Sequence, residues 1–537
     1  MFDILIRNGV VLDGSGKQRY IADVAVTDGK IVAIAPQIPG EAREVIDASG
    51  RYVTPGFIDT HSHADKIVLF HNTSYNVLEQ GITFQLMGQC GESAAPYSAG
   101  QMMALENSLT KEEFDRVKEL TATPARFLEE AEKQTFGINM GFLLGHQALR
   151  AYVMGYTDVP PTEAEFQAME KVVSDAMEAG YWGMSTGLVY IPSVYADTDE
   201  LVRLSKIVSK HGGIYASHVR GEGDVVESSI REAITIGHES GSKVLISHLK
   251  VMGEHNKGKS VKLLEMIDAA NAAGDNVSAD QYPFEAGSAP LISQIPPKFL
   301  VGGNAVALEK LKDPEVRRQM EYSIFHESAE FESNIYFAGY EGSLIAEAPY
   351  TPEHIGKTLA QLAEEQGKTP FDSYADLLIA NKGDAQGIYL TQNMEDICRI
   401  MTHPRVFAGC DWAELPVIHQ PEERGGGHPR SVATMVKRLQ TIREFGLCSA
   451  EEAICSITGR PAEVLGIENR GLLKEGYAAD ICVIDYPNLR CHADYDHPFA
   501  RNEGIDYVIV NGEIAVAGGR ITGKRAGRLQ RHRSQYQ

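Results

Sequence analysis

Short apolar runs alternate with longer amphipathic stretches through the middle of the chain. Eight of the apolar runs have the length of buried strands, and they lie at 52–59, 82–90, 137–145, 181–189, 213–218, 243–248, 276–281 and 405–410. Between them, apolar residues recur at helical spacing at 162–180, 198–212, 222–240 and 260–274. Continuously apolar strands are typical of a parallel sheet covered on both faces. The pattern predicts an α/β fold, a (β/α)8 TIM-like barrel over residues 54–469.

Both ends of the chain show a different pattern, in which short strand-like segments follow one another with turns between them. Near the N-terminus, the segments 23–26 and 30–34 flank Thr27-Asp28-Gly29, a glycine-containing hairpin signal. Near the C-terminus, the segments 479–485 and 505–513 have the same character. We expect residues 1–53 and 470–537 to form one small β-sandwich domain built from both chain termini.

The interval between the seventh and eighth predicted strands is unusually long, at roughly 285–400. It contains Pro-rich turns, polar helical stretches and the aromatic segment 334–340. Long connections in compact domains are usually functional, so we expect an inserted lid subdomain over the site at roughly 285–345. The alternative is a surface excursion without a role at the site.

The charge of the chain excludes some classes of partner. With 50 Lys and Arg against 73 Asp and Glu, the 537 residues carry a net charge of −23, which disfavours binding to nucleic acid or to an anionic membrane. The seven cysteines are an odd number without a short framework spacing, which indicates a reduced, cytoplasmic protein. We see no signal peptide and no bilayer-spanning run, and the oligomeric state stays open between monomer and small homo-oligomer.

Residues that can bind a metal follow five of the predicted strands. They are His61 and His63 after the first strand, Cys90 after the second, His218 after the fifth, His248 after the sixth and Asp411 after the eighth. Each alone is more often structural, but the carboxyl ends of barrel strands meet at one face, where active sites lie. Imidazole and thiolate ligands favour zinc over magnesium or calcium, while cobalt, manganese and iron stay open. Asp411 is also the predicted catalytic proton carrier.

Several motifs carry a family resemblance. The segments 53–63 (Val-Thr-Pro-Gly-Phe-Ile-Asp-Thr-His-Ser-His) and 471–481 resemble signatures of the amidohydrolase superfamily. Within it, the chain resembles the N-acyl-D-amino-acid deacylases (D-aminoacylases). The motifs that carry this are 87–91 (Met-Gly-Gln-Cys-Gly), 215–222 (Tyr-Ala-Ser-His-Val-Arg-Gly-Glu), 246–250 (Ile-Ser-His-Leu-Lys), 280–284 (Asp-Gln-Tyr-Pro-Phe) and 428–430 (His-Pro-Arg).

The resemblance implies zinc-dependent hydrolysis of the linear amide bond of an N-acyl-D-amino acid. It implies that Cys90, His218 and His248 hold a tight zinc. His61, His63 and Asp411 would surround a second, weaker metal, with Cys90 able to bridge. It also implies a small-molecule substrate with a free carboxylate, and substrate contacts from Lys250, Tyr190, Tyr282 and Ser288. Arg220 and Arg430 are further candidates for carboxylate binding, although Arg220 serves equally well as a structural ion-pair partner.

Cys90 separates this chain from one branch of the superfamily. Many members bridge two metals with a carbamylated lysine at the end of strand 4, but here the segment 183–190 contains no lysine. This argues against a centre of the hydantoinase, dihydroorotase or urease type, and a thiolate could supply the bridging negative charge instead. The alternative is a buried structural cysteine.

Three departures from the family pattern leave the shape of the pocket open. Trp412 follows Asp411 where glycine is usual, Glu285 adds a carboxylate near the expected pocket, and 424–428 is rich in glycine. The remaining alternatives are a cyclic amide or imide hydrolase, a dipeptidase of the same superfamily, and a catalytically inactive scaffold. An inactive scaffold predicts missing ligands, whereas all six are present in the sequence.

Overall fold

A ring of parallel strands lies at the centre of the molecule, in a computed structural model that describes residues 1–66, 73–99, 102, 110–412 and 427–533. In chain order the strands are Phe57–Ser62, Ile82–Met87, Asn139–Phe142 with Leu144–Gly145, Gly183–Gly187, Ile214–His218, Lys243–Ile246, Val277–Gln281 and Val406–Ala408. Each pairs in parallel with the next. The ring closes where the N–H of Asp411 donates to the carbonyl of His61 (2.9 Å). The predicted (β/α)8 barrel is confirmed.

Helices surround the ring. Those of the barrel are Tyr75–Leu78, Lys111–Leu120, Pro124–Glu132, His146–Met154, Glu163–Ala179, Thr198–Lys210, Val226–Ser240, Ser260–Ala272, Met394–Met401, Arg430–Phe445, Ala450–Cys455 and Gly459–Leu465. Their apolar faces pack on the strands, as where Leu201, Leu204 and Val208 are fully buried. Within the described ranges, no helix is both long enough and apolar enough to cross a bilayer.

The single strand predicted over 52–59 is wrong. The structure has two strands there, Tyr52–Pro55 in a separate sheet and Phe57–Ser62 in the barrel. The chain changes sheet at Gly56, where a Cβ atom would lie 2.2 Å from Oγ1 of Thr83. Both strands are largely buried, so the sequence shows one continuous apolar run and does not indicate where the first strand ends and the second begins.

The two ends of the chain meet in one nine-stranded sheet. Its strands are Phe2–Val11, Tyr20–Thr27, Lys30–Ala35, Ala42–Asp47, Tyr52–Pro55, Ile481–Ile484, Ile505–Val510, Glu513–Ala517 and Arg520–Ile521. Pairing between Tyr52–Pro55 and Ile481–Ile484 joins the N-terminal and C-terminal halves. Ile6 and Val24 share a buried cluster with Ile481 and Ile509, so the two ends form one hydrophobic core.

The segment between the seventh and eighth barrel strands has a sheet and a core of its own. Ala286–Pro290, Ser343–Glu347 and Gln386–Leu390 form an antiparallel sheet. The helices of the segment are Pro297–Leu300, Asn304–Lys310, Pro314–His326, Asn334–Ala338, Leu359–Gln366 and Pro370–Ala380. Leu291, Met320 and Phe371 belong to its buried cluster. The predicted interval 285–345 ends inside the second of these strands, so the segment reaches further along the chain than expected.

Candidate active site

The six predicted metal-binding residues lie together at the carboxyl ends of the barrel strands. They form two groups, one of His61, His63, Cys90 and Asp411 and the other of Cys90, His218 and His248, and within each group the ligand atoms lie within 4.8 Å of one another. The two groups share Cys90. Residues from five different strands therefore converge on a volume that could hold one or two cations.

The thiol of Cys90 stands between imidazoles from two strands. Its Sγ lies 3.3 Å from Nε2 of His61 and 3.4 Å from Nε2 of His248. Burial by itself raises the pKa of this thiol, but the imidazoles of His61, His248 and His218 outweigh burial and hold the pKa well below its ordinary value. The surroundings therefore favour the thiolate, which is the form that binds metals.

Three of the site residues have a left-handed backbone. The φ angles are 52° at Cys90, 36° at His248 and 52° at Asp411. Residues other than glycine seldom adopt this conformation, and such strain clusters at functional sites. Each of the three follows the last residue of a barrel strand by a few positions, so the left-handed turn redirects the side chain where the strand has ended.

Asp411 is held as a carboxylate by cations and imidazoles. Its Oδ2 lies 2.8 Å from Arg430, and its Oδ1 lies 3.2 Å from Nε2 of His63 and 3.4 Å from Nε2 of His61. Burial raises the pKa of Asp411, but Arg430 first and then the imidazoles of His248 and His61 lower it well below its ordinary value. Asp411 is therefore ionised, and it belongs to one of the two groups of ligand atoms.

Asp280, at the end of the seventh barrel strand, orients two of the ligands. Its carboxylate accepts from Nδ1 of His61 (3.1 Å) and from the backbone N–H of His248 (2.7 Å). The bond to Nδ1 leaves Nε2 of His61 facing Cys90 and Asp411. This arrangement is typical of metal-binding histidines, in which an outer carboxylate fixes the tautomer. Sequence reasoning assigned no role to Asp280, although a buried carboxylate at a barrel strand end was a usable signal.

Glu222 is a second buried carboxylate that sequence reasoning left without a role. Its Oε1 lies 2.6 Å from Nζ of Lys250 and 3.0 Å from Nδ1 of His248. Burial lowers the pKa of Lys250, but the charge of Glu222 outweighs it and raises that pKa, so the pair stays ionised. Nζ of Lys250 also lies 2.6 Å from Nδ1 of His248, so Glu222 and Lys250 together hold this side of the ring.

A cavity of about 630 Å³ opens over the two ligand groups. Of the predicted substrate-binding residues, five line it: Lys250, Tyr190, Tyr282, Ser288 and Arg430. Arg220 does not. Its guanidinium pairs with Glu232 at 2.8 Å and donates to the carbonyl of Val194 at 3.0 Å, which is the structural role that the sequence left open.

Arg430 is packed between aromatic rings at the cavity wall. Its guanidinium carbon lies 4.6 Å from the ring centre of Tyr282 and 5.6 Å from that of Trp412. The buried His428 accepts the backbone N–H of Arg430 at its Nδ1 (3.0 Å). Trp412 therefore supports Arg430 and also narrows the cavity that it lines.

The other two departures from the family pattern do not add to the described cavity wall. Glu285 is exposed and is absent from the residues that line the cavity. Residues 424–426 of the glycine-rich stretch lie outside the described residues.

Comparisons with known proteins agree with this geometry. A family model described as "Amidohydrolase family" matches residues 44–226 and 393–516. A D-aminoacylase of Alcaligenes xylosoxydans xylosoxydans is 32% identical over 98% of this chain and 97% of its own length. The chain belongs to the amidohydrolase superfamily and, within it, to the D-aminoacylase family.

Two solved structures of this family bear on the metal site. One describes a D-aminoacylase with a binuclear metal centre, activated by one metal and attenuated by a second; it has 31% identity and a TM-score of 0.81 over 98% of this chain and 99% of that one. The other is an N-acyl-D-glutamate deacylase from Bordetella bronchiseptica with zinc and a phosphonate that mimics the tetrahedral intermediate; it has 30% identity and a TM-score of 0.80 over 99% of each chain.

The donor set of this family member fits zinc. Thiolate sulfur, imidazole nitrogen and carboxylate oxygen are zinc ligands, and sulfur disfavours magnesium and calcium. The Nδ1 atom of His218 is buried and has no hydrogen-bond partner among the residues that the structure describes, which leaves its lone pair free for a cation. The geometry accommodates one ion beside Cys90, His218 and His248 and a second beside His61, His63 and Asp411.

Replacing Cys90 with alanine should weaken zinc binding by more than about 100-fold, because the loss of a shared ligand exceeds the effect of an outer-shell change. The measurement is zinc content after dialysis against a chelator series. Cys398→Ala is the control, since Cys398 is a half-buried thiol outside both ligand groups. Retention of zinc by Cys90→Ala would show that Cys90 is structural.

Replacing Asp280 with asparagine should weaken zinc binding about 10- to 100-fold, because the amide can no longer fix the His61 tautomer as a carboxylate does. The same chelator competition measures this. Glu285→Asn removes an exposed carboxylate five residues away and should leave the affinity unchanged. Equal affinities of Asp280→Asn and the parent protein would contradict the role given to Asp280.

Proposed function

We propose that the protein hydrolyses the amide bond of N-acyl-D-amino acids with zinc, releasing a carboxylate and a free D-amino acid. The observation that carries this proposal is the sharing of Cys90 between two ligand groups beside a cavity with two buried cations, Lys250 and Arg430. Membership of the D-aminoacylase family supports the same reaction class.

We assign the tight zinc to Cys90, His218 and His248, and a weaker second site to His61, His63 and Asp411, with Cys90 available to both. A bound zinc ion polarises the scissile carbonyl and lowers the pKa of water. Asp280 and Glu222 keep the imidazoles of His61 and His248 oriented with Nε2 towards Cys90. This division of the ligands is supported by the two groups of converging atoms.

Asp411 is the proposed proton carrier. Its carboxylate accepts the proton of the attacking water and passes it to the leaving amine, so the same group acts first as base and then as acid. The ion pair with Arg430 keeps the carboxylate ionised before the reaction. Tyr190, which lines the cavity with its ring 5.1 Å from that of His218, is the proposed donor to the developing oxyanion.

The free carboxylate of the substrate is proposed to bind Lys250 with Tyr282 and Ser288, through charge-assisted hydrogen bonds. Arg430 lies on the same wall and donates to the carbonyl of Ser288 at 3.3 Å, so it can share this anion. Arg220 is left out of the proposed substrate site because it does not line the cavity, and its guanidinium is paired with Glu232 outside it.

The proposed domain division follows the fold. Both termini form the sheet domain, and the catalytic barrel runs to about 469 but begins at Phe57 and not at 54, because Tyr52–Pro55 belongs to the sheet domain. The segment inserted after the seventh strand is a lid, since Ser288, Ile292 and Phe331 line the cavity from that segment. All seven cysteines are free thiols, which supports the cytoplasm as the place of action.

N-acetyl-D-amino acids with uncharged side chains should be hydrolysed, and their L enantiomers, hydantoins and dipeptides should not. N-acetyl-D-aspartate and N-acetyl-D-glutamate should react more slowly, because the cavity wall would repel a second carboxylate on the substrate. The described wall carries Glu332, Glu347 and Asp384, and its only cations besides the histidines are Lys250 and Arg430. Release of free amine, measured with added zinc, tests the panel. Turnover of hydantoins alone would favour the cyclic-amide alternative. Absence of turnover with every substrate of the panel would favour the inactive scaffold.

Asp411→Asn should lower kcat about 100-fold or more, because the amide cannot carry the proton. Asp384→Asn is the matched control, since Asp384 lines the same cavity but is exposed. Steady-state kinetics at saturating zinc measure both variants. Full turnover by Asp411→Asn would overturn the assignment of the proton carrier.

A further inference from the structure

A carboxylate of the lid segment is bound by the backbone of the barrel. Oε2 of Glu332 accepts from the N–H groups of Glu222 (2.7 Å) and Gly223 (2.9 Å), and Oε1 accepts from that of Val225 (2.8 Å). Glu332 is 5% exposed and lines the cavity. These hydrogen bonds join two parts of the chain that are more than 100 residues apart in sequence.

The three N–H groups lead into the helix Val226–Ser240. Helix N-termini carry unpaired N–H groups and a partial positive charge, which a nearby side chain normally satisfies. The capping position here is Val225, which makes no side-chain cap bond. Glu332 therefore supplies, from the lid, the side-chain acceptor that Val225 at the capping position cannot provide.

Two glycines of the loop allow residues of the lid to approach closely at this point. A Cβ atom on Gly221 would lie 2.7 Å from Oε2 of Glu332, and one on Gly223 would lie 2.2 Å from the ring of Phe337. A larger residue at Gly221 would meet both Val225 and Glu332, and one at Gly223 would meet Phe337. The loop is thus shaped to receive Glu332 and Phe337 together.

The bound loop also carries a residue of the active site. Glu222 gives its backbone N–H to Glu332, while its side chain holds Nζ of Lys250 at 2.6 Å and Nδ1 of His248 at 3.0 Å. Displacement of the loop that carries Glu222 therefore also displaces the carboxylate that binds Nζ of Lys250.

We propose that Glu332 is a positioning residue that couples docking of the lid to the placement of Lys250 for the substrate carboxylate. This inference rests on the proposed function, because it assigns Lys250 to the carboxylate. It differs from a purely structural cap, which would hold the helix without favouring one kind of substrate over another.

The test compares Glu332→Gln with the parent protein. The amide leaves an N–H₂ group facing backbone N–H donors, so the loop loses part of its anchor. Amide hydrogen exchange in the peptide that covers 221–226 should become faster. At saturating zinc, which offsets any loosening of His248 beside Glu222, KM for an N-acetyl-D-amino acid should rise on the order of tenfold with kcat nearly unchanged, as expected for a weakened charge-assisted contact. KM for the corresponding N-acetyl-D-amino acid amide, which lacks the carboxylate, should not change.

Glu330→Gln is the matched control, because it removes the same charge from an exposed position two residues away. If Glu332→Gln does not fold, Glu332→Asp keeps the charge with a shorter reach and should show the same effects in weaker form. Unchanged KM despite faster exchange, or equal losses on the acid and the amide, would overturn the inference. If the parent protein hydrolyses no N-acyl-D-amino acid, the proposed function fails and takes this inference with it.

Discussion

The sulfur of Cys90 has to lie between imidazoles that come from different strands of the barrel, at 3.3 and 3.4 Å. A strand in extended conformation would carry its last side chains to either side of the sheet and not over the barrel axis. The left-handed backbone at Cys90, His248 and Asp411 solves this by turning each chain as its strand ends. Such conformations cost on the order of 1–3 kcal/mol each and persist only where the surroundings impose them.

Hydrogen bonds between the ends of different strands hold the segments that carry these conformations. The N–H of Asp411 is bound by the carbonyl of His61, that of His248 by Asp280, and that of Gly91 by the hydroxyl of Ser185. Each of these bonds joins two different strand ends. The strained ligands are therefore held by the ring as a whole, and the barrel has to be closed before the metal groups exist.

Charge is the second constraint on the site. Asp411 faces Arg430, Glu222 faces Lys250, and Asp280 faces His61, all of them buried. A buried charge without a partner is costly, so each of these groups depends on the one opposite it. The pairs also serve the chemistry, because they keep Asp411 ionised and Lys250 cationic beside a cavity that residues of the inserted segment help to line.

Much of this protein follows from its sequence alone. The spacing of apolar runs predicts the barrel, and the residue types at the strand ends, with no lysine at the end of the fourth strand, predict a metal centre around Cys90. The sequence did not show that the chain passes from one sheet to another at Gly56, because the two buried strands form one continuous apolar run. The tertiary structure alone decided that Arg430 enters the cavity while Arg220 pairs with Glu232. It also decided that Asp280, Glu222 and Glu332 orient the site, because the role of a buried carboxylate depends on which donors from distant strands and loops surround it.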